Sequence, residues 1–216
     1  MIYLITDRLA LLEPHWPTQL ELIAQAAALG VSLIQIREKD VSARALAEFA
    51  RAAIAVARPH GARVLVNDRA DVALAVGADG VHLRVTSLPP QALRQFAPPD
   101  FLIGVSTHSL AEAQAAQDGG ATFITCGPVY ETASKRASGA PLGLTAFERI
   151  ARAVTLPVYA LGGINADNLL EPFQHGAAGI AAISLWQNAE QMSAMIARVR
   201  ERSWLPDRDG QSRLNF

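Results

Sequence analysis

Eight short apolar stretches, each followed by a segment of helical periodicity, constrain the fold of this chain more than any other feature of its sequence. Most are rich in β-branched residues and apolar on both faces, as expected for parallel strands covered by helices. Eight such units in about 200 residues predict a single-domain (β/α)8 TIM barrel, an α/β fold. Strands are expected at 2–7, 32–38, 63–68, 80–84, 101–107, 122–128, 157–163 and 179–186, and helices at 17–29, 43–58, 69–76, 89–96, 109–117, 144–154, 166–174 and 189–202.

A doubly wound open sheet is the alternative fold for such a pattern. It is disfavoured because no Gly-x-Gly-x-x-Gly sequence follows the first predicted strand. The turn GADG at 77–80 is expected to end a helix at a glycine cap before the next strand begins. Ser42, Ser109 and Asn165 are each expected to cap the amino end of the helix that follows them.

Length and charge narrow the classes of protein to which the chain can belong. Its 216 residues suit one domain, with the barrel expected over 1–202 and a polar C-terminal tail over 203–216. The 19 Lys and Arg against 20 Asp and Glu give a net charge of −1, which argues against a dedicated nucleic-acid surface. No apolar run is long enough for a membrane span, and no signal peptide is recognised. The single cysteine, Cys126, allows no intrachain disulfide, and a cytoplasmic protein is expected.

Polar side chains collect where the predicted strands end, which is the catalytic face of a barrel. Alternation along the second strand directs Gln35 and Arg37 to the same, inward face. An anionic ligand would supply the partners that buried polar groups need; alternatively, Arg37 pairs with a carboxylate of the barrel and Lys39 is an ordinary loop residue. Asp68 ends the third predicted strand and either caps the next helix or binds a hard cation such as Mg²⁺ beside a diphosphate.

The strands later in the chain end in a second set of candidate residues. Thr132, Ser134 and Lys135 follow the sixth strand and either bind an anion or belong to a solvated loop. Glycines after the seventh strand allow backbone N–H groups to approach a phosphate, at the usual phosphate position of barrels. Two groups therefore predict two phosphorylated moieties, or one ligand with phosphate at both ends. The first group is Arg37, Lys39, Asp68, Ser106, Thr132, Ser134 and Lys135, and the second is Gly162, Gly163 and Ser184.

The five histidines indicate neither a metal site nor a nucleophilic catalytic site. Their spacing does not match a metal site, and no set of nucleophile, base and orienting residue can be assembled around His108. His82 lies within the fourth predicted strand, where a hydrogen-bonded core histidine is more common than a ligand. 

The motifs QIREKD, LVNDR, IGVSTHS, GPVYETASK and ALGGI, in that order, resemble those of the thiamine phosphate synthases and their TenI-type relatives. The resemblance runs from IYLITD to AAISLW, nearly the whole predicted barrel. It implies a transferase of thiamine biosynthesis, assisted by Mg²⁺, that joins hydroxymethylpyrimidine diphosphate to thiazole phosphate and releases diphosphate. Small phosphorylated molecules are the implied partners, and a homo-oligomer is possible within such a family.

The same resemblance implies a role for each candidate residue. It implies catalytic roles for Arg37, for Ser106 near the leaving diphosphate, and for Lys135, which would neutralise that group. Asp68 matches a Mg²⁺ ligand. The implied substrate-binding residues are Gln35, Lys39 and Asn67 on the diphosphate and pyrimidine side, Thr132 and Ser134 after the sixth strand, and Gly163 and Ser184 at the thiazole phosphate.

Two departures from the synthase pattern leave other functions open. Ser87 stands where the synthases have a second aspartate for Mg²⁺, and Arg84 replaces a glycine nearby, where it would bring positive charge to a phosphate. TenI-type thiazole phosphate tautomerases also lack that aspartate and share the VYET sequence, but Pro128 replaces their proton-transferring histidine, leaving Glu131 as a substitute base. A tautomerase and a non-catalytic binder of thiazole or thiamine phosphates are the alternatives to the transferase.

Overall fold

The chain folds into a closed barrel of eight parallel strands, β1 to β8 in sequence order, in which β8 pairs with β1. The computed structural model describes residues 1–11, 16–132, 140–186 and 189–201, with only the backbone of Trp186. The strands are Ile2–Ile5 (β1), Leu33–Ile36 (β2), Arg63–Asn67 (β3), Gly80–Leu83 (β4), Leu102–Thr107 (β5), Phe123–Cys126 (β6), Val158–Leu161 (β7) and Gly179–Ala182 (β8). The helices are Trp16–Ala28 (α1), Ala43–Ala57 (α2), Ala70–Val76 (α3), Pro90–Arg94 (α4), Leu110–Asp118 (α5), Gly143–Ala153 (α6), Glu171–Gln174 (α7) and Ala189–Glu201 (α8).

The predicted barrel is confirmed, and the open-sheet alternative is wrong. All eight predicted strands and helices occur, although most of the predicted strands extend beyond the observed ones. Ser42 and Ser109 cap their helices by accepting the backbone N–H groups of Ala45 and Glu112, both at 3.2 Å. Gly77 ends α3 in a left-handed conformation, with φ of 66°.

The amino end of the seventh helix was predicted wrongly. Helix α7 begins at Glu171, five residues later than expected from a cap at Asn165. The Asn165 side chain instead accepts the backbone N–H of Asp167 at 2.8 Å and that of Asn168 at 3.3 Å, which closes a turn. An asparagine before a helical pattern thus stabilises a turn here rather than a helix.

Two apolar layers hold the barrel together. One lies between strands and helices, and the other fills the barrel interior, where aromatic rings occupy space left by glycines. A Cβ atom at Gly179 would lie 2.5 Å from the ring of Tyr159, and one at Gly104 would lie 2.4 Å from Phe123. The interior layer consists of Tyr3, Ile5, Leu33, Leu65, Leu102, Phe123, Tyr159 and Ala181. Because these side chains fill the barrel interior, a ligand is expected to bind above them, at the ends of the strands.

Within the ranges described above, no helix is long and apolar enough to cross a membrane. The predicted tail, 203–216, lies outside the described residues.

Candidate active site at the carboxyl ends of the strands

The predicted site residues that the structure describes lie at one end of the barrel, where the strands lead into the helices. Gln35 and Ser106 belong to strands, and Asn67 is the last residue of β3. The others follow their strands directly or within a few residues: Arg37 and Lys39 after β2, Asp68 after β3, Thr132 after β6, Gly163 after β7 and Ser184 after β8. Parallel strands in a closed barrel bring these positions to the same face.

A buried chain of hydrogen bonds connects Gln35 to Ser106 across the barrel interior. Gln35 Nε2 donates to Tyr3 Oη at 2.9 Å, and Tyr3 Oη lies 3.1 Å from His82 Nδ1. On the other side of the imidazole, His82 Nε2 lies 3.0 Å from Ser106 Oγ. Tyr3, Gln35 and His82 are at most 2% exposed, so the two bonds among them form away from water, while Ser106 is half-buried. Gln35 thus finds its partner in a tyrosine of the barrel.

The chemistry of the side chains fixes the direction of this chain. The Gln35 amide nitrogen only donates, so the Tyr3 oxygen accepts from it and uses its own hydrogen to donate to His82 Nδ1. Burial, reinforced by the charge of Arg37, lowers the pKa of His82 to about 3, so the imidazole is neutral and carries its one proton on Nε2. His82 therefore donates to Ser106 Oγ, and the hydroxyl hydrogen of Ser106 is directed elsewhere.

Thr125 and Gly104 complete the surroundings of His82 and Ser106. Thr125, opposite Ser106 in the β5–β6 register, donates from Oγ1 to Ser106 Oγ at 3.4 Å. A Cβ atom at Gly104 would lie 2.5 Å from His82 Nδ1, so a glycine is needed there to admit the ring. Because the Ser106 oxygen accepts from His82 and Thr125, its own hydrogen can be donated to another acceptor. An anion bound above the barrel would be such an acceptor.

Asp68 is held by two residues of the loop after β4. Its Oδ2 accepts from Arg84 Nη2 and its Oδ1 accepts from the Ser87 hydroxyl. Helix α3 begins at Ala70 with Arg69 at the cap position, so the alternative that Asp68 caps this helix is wrong. The backbone of Asp68 is left-handed, with φ of 62°, an uncommon conformation outside glycine that tends to mark functional sites.

The residues present do not complete a magnesium site with two carboxylates. Both oxygens of Asp68 are already engaged, and Ser87 offers a hydroxyl where a second carboxylate would be required. Nowhere in the described part of the chain do three His, Cys, Asp or Glu side chains come together as metal ligands. Mg²⁺ binding at Asp68 stays a prediction, and the contacts of Asp68 argue for a cation supplied by the protein.

Arg37, Lys39 and Arg84 form a positively charged cluster beside Asp68. Arg37 Nη1 lies 3.5 Å from Asp7 Oδ2, so the alternative that Arg37 pairs with a barrel carboxylate is confirmed as a long ion pair. The charge of Arg37 lowers the pKa of Lys39 most, with burial and the charge of Arg84 acting in the same direction. Arg37 and Arg84 both disfavour the charged form of Lys39, and an anion bound beside these three side chains would offset their repulsion.

The two glycines after β7 are required by packing against the loop that follows β6. Gly162 and Gly163 have φ values of 97° and 68°. A Cβ atom at Gly162 would lie 2.6 Å from Pro128 Cβ, and one at Gly163 would lie 2.6 Å from the Glu131 carbonyl oxygen. The backbone N–H of Tyr130 donates to the Gly162 carbonyl at 3.1 Å. Positive φ values and close packing therefore require glycine at both positions, while phosphate binding by these glycines stays a prediction.

The remaining predicted residues are only partly described. Thr132 is half-buried in the loop after β6, whereas Ser134 and Lys135 lie outside the described residues. Ser184 is exposed and begins a short 3-10 helix, Ser184–Trp186. The predicted eighth strand therefore ends two residues before Ser184, at Ala182, and the placement of this serine within a strand is wrong.

Sequence reasoning missed Tyr3 and Thr125 and gave His82 only its structural role. As expected, His82 is a hydrogen-bonded core residue, but its second partner is a candidate active-site serine. The signal was present in the alternation of the strands, because a tyrosine, a histidine and a threonine sit at inward positions of otherwise apolar strands. Which of them meet depends on strand register, which the sequence does not reveal.

Comparison with known proteins links this geometry to one family. The family model described as thiamine monophosphate synthase matches residues 2–185. The thiamine-phosphate synthase of Azorhizobium caulinodans is 41% identical over 183 residues, covering 85% of each chain. That of Methanoculleus marisnigri is 39% identical over 201 residues, covering 93% of this chain and 94% of the relative. The solved structure of thiamine phosphate pyrophosphorylase from Pyrococcus furiosus is 34% identical, superimposes with a TM-score of 0.79, and covers 92% of this chain and 96% of its own.

Proposed function

We infer that this chain, which belongs to the thiamine monophosphate synthase family, is a transferase that makes thiamine phosphate. Its substrates would be hydroxymethylpyrimidine diphosphate and thiazole phosphate. The bond between the pyrimidine methylene carbon and the diphosphate oxygen breaks, and its electron pair leaves with the diphosphate. The thiazole ring nitrogen then donates its lone pair to the methylene carbon, forming the new carbon–nitrogen bond.

The observation that carries this proposal is the cationic cluster at the same end of the barrel as the Ser106 hydroxyl group. Negative charge grows on the departing diphosphate, so fixed donors and cations at that position lower the barrier. Arg37, Lys39 and Arg84 provide the charge, and Ser106 offers a hydrogen that the buried chain leaves available. In a reaction between two uncharged substrates, no negatively charged group would be present for such a cluster to stabilise.

The pyrimidine and thiazole ends of the site are assigned by the family resemblance. Gln35 and Asn67 would border the pyrimidine, and Thr132 and Ser134 would bind substrate beside the loop after β6. Gly163 and Ser184 would hold the phosphate of the thiazole. Support for a common site comes from the described residues of this set, which all lie at the same end of the barrel.

Magnesium is the cofactor that the family resemblance implies. Its predicted place at Asp68 lacks a second carboxylate, so we assign no step of the reaction to the metal. Action in the cytoplasm and assembly into a homo-oligomer likewise stay predictions from the sequence and the family.

The proposal is tested by incubating the purified protein with both substrates and measuring released diphosphate and thiamine phosphate together. Stoichiometric formation of both is expected. If neither forms, while the exocyclic thiazole carboxylate phosphate is isomerised to its aromatic form, the protein is a tautomerase. If neither reaction occurs but calorimetry detects binding of thiazole or thiamine phosphate, it is a binder without catalytic function.

Lys135→Ala tests the predicted role of the loop after β6. Loss of one preorganised cation at the leaving diphosphate should lower turnover by about 100-fold to 1,000-fold, in line with roughly 3–4 kcal/mol for one such donor. Arg152→Ala is the matched control, since Arg152 pairs with Glu148 on the exposed surface of α6. Equal turnover in the two variants would show that Lys135 is a solvated loop residue.

A further inference from the structure

The loop after β4 directs one arginine to the place where the family resemblance predicts a metal ion. Residues 84–87 form a turn in which the Ser87 N–H donates to the Arg84 carbonyl at 3.0 Å. The Ser87 hydroxyl oxygen accepts a hydrogen bond from the Arg84 backbone N–H at 3.0 Å, and the hydroxyl group donates a hydrogen bond to Asp68. Ser87 thus closes the turn that brings Arg84 to the second oxygen of Asp68.

Most of the Arg84 guanidinium remains available to a ligand. Its side chain is 59% exposed, against 25% for that of Asp68. Within the described residues, only Nη2 is engaged, and Nε and Nη1 make no hydrogen bond. A guanidinium with a free edge can bind two oxygens of a phosphate at once. Asp68 holds the group in place, and its left-handed backbone, with φ of 62°, sets the direction of the carboxylate.

We propose that Arg84, oriented by Asp68 and Ser87, is a diphosphate-binding residue that supplies at this site the positive charge otherwise expected from Mg²⁺. The inference rests on the proposed function and names the group that would hold its leaving diphosphate. Charge balance agrees with it, because one carboxylate and one guanidinium already neutralise each other without a metal. A divalent ion at Asp68 would have to displace Arg84 and would meet repulsion from Arg37 and Lys39.

Calorimetric titration with inorganic diphosphate tests the proposal independently of turnover. For the unaltered protein, we expect diphosphate to bind in EDTA, with no requirement for Mg²⁺. Arg84→Gln should weaken binding in EDTA by about 10-fold to 100-fold, the range expected for charge-assisted hydrogen bonds. Arg44→Gln is the matched control, since Arg44 is an exposed arginine that pairs with Glu48 within α2, and it should change binding by less than about twofold.

A second variant builds the metal site that the chain lacks. Combining Arg84→Gly with Ser87→Asp removes the guanidinium and adds a carboxylate beside Asp68. Diphosphate binding by this variant should be weak in EDTA and should strengthen by about tenfold or more in Mg²⁺, as for a site with two carboxylates. Circular dichroism melts confirm that each variant is folded before titration.

The proposal is overturned if the unaltered protein binds diphosphate only with Mg²⁺, or if Arg84→Gln behaves like Arg44→Gln. Its failure can be separated from failure of the proposed function. If both substrates are turned over but Arg84→Gln leaves the affinity for diphosphate unchanged, the protein is a transferase and the proposed role of Arg84 is wrong. If diphosphate binding depends on Arg84 but the two substrates give no product, the binding site stands and the transferase is wrong.

Discussion

Tyr3→Phe is the substitution that most sharply tests the buried chain between Gln35 and Ser106. It removes one oxygen atom from a ring that is 0% exposed and leaves the packing of the ring in place. The Gln35 amide then has no acceptor at 2.9 Å, and His82 Nδ1 has no donor at 3.1 Å. The perturbation is therefore confined to two hydrogen bonds.

Its effect on stability follows from the two buried groups that lose a partner. Each unsatisfied group costs about 1–3 kcal/mol, so the free energy of unfolding should fall by about 2–6 kcal/mol. At roughly 2–4 °C per kcal/mol for a chain of this size, the melting temperature should drop by about 4 °C at least. Tyr159→Phe is the matched control, because Tyr159 is equally buried in the same layer but its hydroxyl makes a weak hydrogen bond to Met1 Sδ, at 3.6 Å.

The effect on activity separates orientation of Ser106 from stability alone. Without Tyr3 Oη, His82 is free to carry its proton on Nδ1 and accept from Ser106, which turns the serine hydrogen away from the ligand. Measured at a temperature where all variants are folded, kcat should fall by about tenfold, comparable to one hydrogen bond to a charged group. In a Ser106→Ala background the same change should have almost no further effect on kcat.

Two results would refute this reasoning. Equal melting temperatures for Tyr3→Phe and Tyr159→Phe would show that the chain contributes nothing to the fold. Independent effects of Tyr3→Phe and Ser106→Ala on kcat would show that Tyr3 does not act through Ser106.

Two further predictions concern the stability of the barrel. Because burial, chiefly, lowers the pKa of His82 to about 3, the unfolded chain binds a proton that the folded chain does not bind between about pH 6.5 and pH 3. The free energy of unfolding should therefore decrease as the pH is lowered across that window, by up to about 1.4 kcal/mol per pH unit. Urea denaturation of the protein and of His82→Gln should show that the free energy of unfolding depends less steeply on pH in the variant. Gly162→Ala should lower the free energy of unfolding by about 3 kcal/mol or more, since the new methyl group would meet Pro128 at 2.6 Å in a left-handed backbone; Gly77→Ala, with open space around it, should cost only about 1 kcal/mol, and equal losses would contradict the packing argument.

The barrel could be predicted from the sequence because its signal is repeated. Most strands are apolar on both faces and the segments between them are helical, so eight local patterns agree with one closed architecture. The wrong predictions of helix and strand ends occur where one local sequence pattern is compatible with two structures. Asn165 closes a turn as readily as it caps a helix, and the apolar residues after Ala182 continue into a 3-10 helix because the strand pairing with β1 has ended.

The location of the site could also be predicted, but its internal contacts could not. Charged residues after successive strands indicate the catalytic face in any barrel. The bond between Tyr3 and His82 joins residues 79 positions apart, and only strand register brings them together. The replacement of a carboxylate by Ser87 was visible in the sequence, but the turn through which Ser87 directs Arg84 to Asp68 became evident only in three dimensions.

The most direct measurement of the central claim is a single reaction containing both substrates, in which diphosphate release and thiamine phosphate formation are followed together. The protein should form the two products in equal amounts, at a rate that Ser106→Ala and Arg37→Ala each lower by at least about tenfold. Folded protein that releases no diphosphate under saturating substrate, with and without Mg²⁺, would contradict the transferase account.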